Sequence, residues 1–129
     1  MRDAVILADL RAAVGSFGGC LCDIPAPTLG AIVMAALVRR RSIDLKPVAE
    51  VIPGQEMTAG GGQNRSLQIV IKAGLPHSVP AMPLNKFYGS GLKATNLLIQ
   101  ATYCGAVPRR LAALRPPPRS QNVALAVER

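Results

Sequence analysis

Apolar positions along this chain repeat in three units, each a short apolar run followed by a segment with helical periodicity. The first run, Ala4–Ala8, is continuous and suits a strand buried on both faces. Shorter runs lie at 50–52 and 81–84. Apolar residues then recur at the i, i+3, i+4, i+7 spacing of one helix face. The predicted helix faces are Leu29, Ile32, Val33, Ala36 and Leu37, then Leu67, Val70 and Ile71, then Ala94, Leu97, Leu98 and Ala101.

This order predicts an α/β fold of three βα units with right-handed crossovers and a parallel sheet. Thr28 is predicted to cap the first helix and Asn64 the second, because side-chain oxygens of Thr and Asn accept hydrogen bonds from the first helical turn. Gly74 is predicted to end the second helix. With no later sequence to cover it, the first strand is expected to remain an apolar sheet edge.

The candidate site lies where the third apolar run turns sharply into the third helix. Gly89, Ser90 and Gly91 form this turn and the helix N-terminus, and Tyr88 comes directly before them. The N–H groups and the dipole of a first helical turn favour negative charge, and glycines let backbone approach a substrate. A thiol here would be a ready nucleophile, but a tyrosine stands in its place.

Residues 85–94 read Asn-Lys-Phe-Tyr-Gly-Ser-Gly-Leu-Lys-Ala, which resembles the thiolase active-site turn Asn-Lys-Val-Cys-Gly-Ser-Gly-Leu-Lys-Ala. The resemblance extends from the start of the chain to about Gly105 through several ordered motifs. These are Arg11–Gly19, Gly54-Gln55, Ala59-Gly60, Gly62–Asn64, Ala73–Pro76 and Val79–Ala81.

This resemblance implies a partial thiolase-like half-domain at residues 1–105. Thiolases of the acetyl-CoA acetyltransferase type join two acetyl-CoA molecules into acetoacetyl-CoA, or reverse that reaction. It further implies a coenzyme A thioester as partner, no bound cofactor, and a homo-oligomer through the strand at residues 81–87, which in the family pairs with its copy across the dimer axis.

The departures from the family pattern predict a chain that does not turn over acetyl-CoA. Tyr88 occupies the position of the acyl-accepting Cys, so it is the candidate catalytic residue by position only. Pro83 and Phe87 stand where Thr and Val are usual, and Arg65 replaces a Pro. No segment of these 129 residues matches the Asn, His and second Cys of the family's later half. We therefore interpret the chain as a truncated thiolase.

Two alternatives to an enzyme remain open. One is a non-catalytic thiolase remnant that acts only through dimer-type contacts. The other is a binding protein for an acidic partner, which uses the tail at residues 106–129. Residues 105–129 hold five of the fifteen basic residues and one of the seven acidic ones, and Pro116–Pro118 interrupts them. That composition predicts an irregular, disordered tail.

Composition and charge bear on nucleic-acid binding, metal binding and location in the cell. The formal net charge is +8, but the cationic run Arg39–Arg41 suits a solvated helix C-terminus better than a nucleic-acid contact. Three cysteines, Cys20, Cys22 and Cys104, lack the spacing of a metal site and are expected to be reduced, which favours the cytoplasm. Neither a metal nor a membrane span is expected, since the longest apolar run is too short to cross a bilayer.

Overall fold

The computed structural model describes residues 4–41, 48–105, 109–114 and 123–128. Over these residues the helices are α1 (Ala26–Arg41), α2 (Arg65–Lys72) and α3 (Ser90–Tyr103). The strands are β1 (Val5–Arg11), β2 (Val48–Val51), β3 (Arg109–Leu114) and β4 (Val123–Glu128). The α/β character expected from the sequence is present.

The strands form one sheet in the order β1-β4-β3-β2. β2 pairs parallel with β3, whereas β4 pairs antiparallel with both β1 and β3. The described sheet is therefore mixed, and the predicted parallel pairing is wrong for β1. β1 lies at one end of the strand order, where Val5 is 50% and Ile6 is 56% exposed. The expectation of an apolar edge at the first strand agrees with this placement.

The third predicted strand is an extended segment, residues 80–84, that pairs parallel with residues 51–55 through single bridges. The amide of Val51 donates to Pro80 O, and the amide of Met82 donates to Val51 O. Two further bonds join Leu84 N to Pro53 O and Gln55 N to Leu84 O. The prolines lack N–H groups, which explains why this pairing does not extend into a regular strand.

The prediction of an irregular tail is wrong for residues 109–114 and 123–128, which are β3 and β4. Their backbones pair antiparallel over the whole of both strands, from Arg109↔Glu128 to Leu114↔Val123. The prediction of disorder rested on the arginines and prolines of residues 106–129 as a whole. The two stretches that form strands contain no proline and carry β-branched or apolar residues. Such residues suit a pleated sheet once a partner strand is available. The other tail residues lie outside the described part of the chain.

Helix ends differ in part from the sequence-based expectation. α1 begins at Ala26, and the Thr28 amide donates to Pro25 O at 2.9 Å, so Thr28 lies inside the first turn and does not cap it. Asn64 does cap α2, since its Oδ1 accepts from the Leu67 amide at 3.1 Å. Gly74, with φ of 77°, ends α2 in a Schellman motif in which the Leu75 amide bonds to Val70 O.

Within the described residues, the buried apolar side chains form two clusters. The larger lies where α1 and α2 meet β1 and β2, and it includes Met34, Leu37 and Val70. The smaller joins Ile52 to Ala94 and Leu98, so the predicted face of α3 is the buried one. On α1 and α2 the predicted faces were wrong at Ile32 and Ile71, which are exposed, because neighbours cover only part of each apolar stripe. No helix within the described ranges has the length and hydropathy needed to span a bilayer.

Candidate functional site

The candidate site is the turn that carries the chain from the extended segment 80–84 into α3. Asn85 determines its entry. The Asn85 Nδ2 donates to Glu56 O at 2.9 Å, and its Oδ1 accepts from the Phe87 amide at 2.9 Å. The second bond is an Asx-turn, in which a side-chain oxygen replaces a backbone carbonyl. One side chain therefore both shapes the turn and attaches it to the loop after β2.

Ser90 determines the exit of the turn. It is 1% exposed, and its Oγ accepts from the Lys86 amide at 2.8 Å while it donates to Phe87 O at 2.7 Å. The Gly89 amide adds a bond to Lys86 O at 2.9 Å. Because both hydrogen-bonding capacities of the buried hydroxyl are used, replacing Ser90 would leave backbone groups without their partner.

Gly54 lets the start of α3 lie directly against the end of β2. A Cβ at Gly54 would come within 2.7 Å of the Gly91 nitrogen and 2.8 Å of the Ser90 carbonyl carbon. Both contacted atoms belong to the backbone, so they cannot move aside as the end of a flexible side chain could. The N-terminus of α3 is thus fixed in place by a position that only glycine fits.

The structure places the predicted site residues in sequence along this turn. Gly89 is the N-cap of α3, Ser90 and Gly91 are its first residues, and Tyr88 precedes the cap. Tyr88 is 78% exposed, and its hydroxyl forms no hydrogen bond with the described part of the chain. Phe87 has φ of 44°, a left-handed conformation that is strained for a bulky residue and typical of functional turns.

This arrangement offers the N-terminal end of a helix but no activated nucleophile. α3 has no acidic residue in its first turn, so the helix dipole there is not offset by a local carboxylate. The described residues contain no group of three or more His, Cys, Asp or Glu that could hold a metal. What the turn can do chemically therefore depends on the side chain at position 88.

Sequence reasoning missed Asn85 and Gly54 as residues that build the site. Asn85 carried a usable signal, because an Asn two residues before a turn amide often forms an Asx-turn. Gly54 carried none, since the residue that requires its small size lies on α3, far away in sequence. The lone His77 is exposed in a separate turn, as expected for a loop histidine.

The candidate turn thus joins an extended segment to the N-terminus of a helix, and hydrogen bonds within the turn fix it there. The chain matches the family model described as "Thiolase, N-terminal domain" over residues 4–113. It is 57% identical over 105 residues to an acetyl-CoA acetyltransferase of Pseudomonas aeruginosa, a match that covers 81% of this chain and 27% of the relative.

Similar enzymes give the same picture. The acetyl-CoA acetyltransferases of Cupriavidus necator and Thiocystis violacea are 53% and 49% identical, and each match again covers 81% of this chain and 27% of the relative. The chain belongs to the thiolase family, in its N-terminal domain, so the resemblance noted from the sequence is confirmed. It spans about a quarter of the length of these relatives.

Proposed function

We propose that this chain is a thiolase-type module, similar to acetyl-CoA acetyltransferases, that presents the acyl-acceptor turn without accepting an acyl group on it. A coenzyme A thioester is the proposed small-molecule partner, because the relatives are named for acetyl-CoA. The observation that carries the proposal is the exposed ring of Tyr88 beside the N-cap of α3, at the position where the family resemblance puts the acyl-accepting Cys.

The chemistry of residue 88 explains the lost acylation. A cysteine thiolate attacks a thioester carbonyl, forms a new acyl–sulfur bond and expels the thiolate of coenzyme A. A phenol hydroxyl needs a base to take its proton before it can act as a nucleophile. Tyr88 has no such base bonded to it in the described part of the chain. Its ring also occupies more space than a thiol would leave for the acyl group.

The test compares Tyr88→Cys with a matched control, Tyr103→Cys. Tyr103 is the last residue of α3 and 54% exposed, so the control adds the same thiol at the negative end of the same helix. Each protein is incubated with labelled acetyl-CoA, and acylated peptides are mapped by mass spectrometry. Mapping separates residue 88 from the exposed thiols Cys20, Cys22 and Cys104.

We expect label at position 88 in Tyr88→Cys, none at Tyr88 in the unmodified chain, and less at position 103 in the control. Condensation to acetoacetyl-CoA is not expected from either variant. Acetoacetyl-CoA formation by the unmodified chain, or an acetyl ester on Tyr88, would contradict the proposal. Equal labelling at positions 88 and 103 would show that the turn contributes nothing to acylation.

A second candidate function is assembly with another copy through residues 81–87. Met82 and Phe87 expose 39% and 73% of their surface there, and Leu92 at the start of α3 exposes 71%. An extended segment with apolar neighbours suits edge-to-edge pairing. Sedimentation of the purified chain at several concentrations tests this, and a monomer throughout would exclude it.

A cytoplasmic location is also proposed. Cys20, Cys22 and Cys104 are exposed free thiols, which persist in a reducing compartment. Fractionation of native cells followed by thiol labelling tests it, and recovery of oxidised protein outside the cytoplasm would contradict it.

A further inference from the structure

A cavity away from the candidate turn lies between the start of α1, the loop at residues 57–61 and the start of α2. Its volume is about 360 Å³, enough for a small organic ligand or its phosphate group. The lining includes Cys22, Met57, Gly60, Gly61, Arg65 and Gln68. Nothing in the proposed function uses this cavity.

Arg65 is the charged group of the cavity, and it is 6% exposed. Its guanidinium donates to the carbonyl oxygens of Met57 and Ala59, at 2.5 and 3.1 Å, and to that of Thr58. Its Nε is buried without a hydrogen-bond partner. A guanidinium carries five N–H donors, so these three bonds to neutral carbonyls leave two donors, and the positive charge, without a partner among the described residues.

Apart from these carbonyl oxygens, the surroundings of Arg65 do little to offset its positive charge. Arg65 is the first residue of α2, where the helix dipole already favours negative charge. The cavity also borders the start of α1 at Ala26, although Pro25 and Pro27 there have no N–H to donate. Among the described residues, no Asp or Glu lines the cavity.

A buried cation with no carboxylate partner is costly unless a counter-ion compensates it. Gly61 leaves room for the guanidinium, since a Cβ at that position would overlap Arg65 Nε and Cζ. The Gln68 amide donates to Gly61 O at 3.0 Å and to Gln63 O at 2.9 Å, which fixes the loop around the cavity. The loop is thus bonded in a shape that keeps the cation beside an open cavity.

We propose that this cavity binds a phosphate group, with Arg65 as its cationic determinant. The proposal does not rest on the proposed function of Tyr88. The phosphate comes either from free inorganic phosphate or from a phosphorylated cofactor such as coenzyme A. In both cases the recognition is the same, an oxyanion held by a guanidinium at the start of α2.

The test is a titration of the full ¹⁵N-labelled chain with inorganic phosphate at constant ionic strength, followed by amide chemical shifts. We expect saturable shifts at the Gly60 and Gly61 amides. Arg65→Met should weaken binding about tenfold or more, since a charge-assisted bond is lost. Arg65→Lys should retain part of it. Arg39→Met removes an exposed arginine at the far end of α1 and should leave binding unchanged.

A parallel titration with coenzyme A distinguishes the sources. If coenzyme A shifts the same amides at a lower ligand concentration than inorganic phosphate does, the bound phosphate group is that of the cofactor. If only inorganic phosphate shifts them, the ligand is the free anion. Shifts of the unmodified chain that increase linearly without saturation would overturn the proposal, even if Arg65→Met fails to fold. Binding that is equally strong in Arg65→Met, or equally weakened in Arg39→Met, would overturn it as well.

Discussion

Pro83 lies in the segment 80–84, whose outer edge is the edge that the proposed pairing with a second copy would use. On the inner side, the amides of Met82 and Leu84 donate to the backbone of residues 51–53. Because successive residues of an extended chain face opposite sides, Ala81 and Pro83 face outward. The Ala81 carbonyl already accepts from Asn64 Nδ2 at 3.3 Å, and Pro83 has no N–H to offer. The outer edge therefore lacks its central donor.

Replacing Pro83 with Thr restores that donor and should strengthen self-association. In a two-fold symmetric pair each copy contributes the same contact, so one new N–H per chain adds two hydrogen bonds. At about 0.5–1.5 kcal/mol each, they contribute about 1–3 kcal/mol. That range corresponds to a dimer dissociation constant roughly 5- to 150-fold lower.

Sedimentation velocity over a concentration series measures this directly. The matched control is Pro76→Thr, which makes the same substitution in an exposed loop. There the Pro76 carbonyl accepts a hydrogen bond from the Val79 amide. We expect the control to sediment like the unmodified chain. If Pro83→Thr associates no more strongly than the unmodified chain, or if the control associates equally, the reasoning about the outer edge is wrong.

Three further predictions concern stability and are checked by chemical denaturation. Gly54→Ala should lower the free energy of unfolding by about 1–3 kcal/mol, because its Cβ would overlap the backbone at Gly91. Leu98→Ala, in the core, should cost about 2–5 kcal/mol, whereas Leu92→Ala, 71% exposed on the same helix, should stay within about 0.5 kcal/mol. Asn85→Ala should cost about 1–3 kcal/mol, since it removes two hydrogen bonds of the turn. Equal losses at Leu98 and Leu92, or none at Gly54 or Asn85, would contradict the packing described.

The sequence was most informative where one local pattern decided the structure. Asn64 and Gly74 begin and end α2 as predicted, because caps depend on a few neighbouring residues. The buried face of α3 was also predictable, since Ala94 and Leu98 follow a single helical period. The same periodicity was wrong at Ile32, because its exposure depends on which other elements cover α1.

Strand pairing could not be predicted in the same way. The antiparallel pairing of β1 with β4 joins residues more than a hundred positions apart, such as Val5 and Glu128. Local composition carries no information about such a distant partner strand. The prolines at Pro116–Pro118 favoured a prediction of disorder for the whole tail. The mixture of parallel and antiparallel pairs depends on how the whole sheet assembles. It therefore cannot be predicted from each short apolar run taken alone.

The candidate turn shows that shape and chemistry are encoded by different residues. Its geometry depends on Asn85, Ser90 and Gly54, whose bonds and close contacts involve no atom of the residue 88 side chain. Phe87 adopts its left-handed conformation in the same turn, with a tyrosine as the next residue. Membership of the family follows from the match over residues 4–113, whereas the chemistry of the turn depends on the side chain at position 88. Because the hydrogen bonds that build the turn do not involve the side chain at position 88, we expect the turn to keep its shape in Tyr88→Cys.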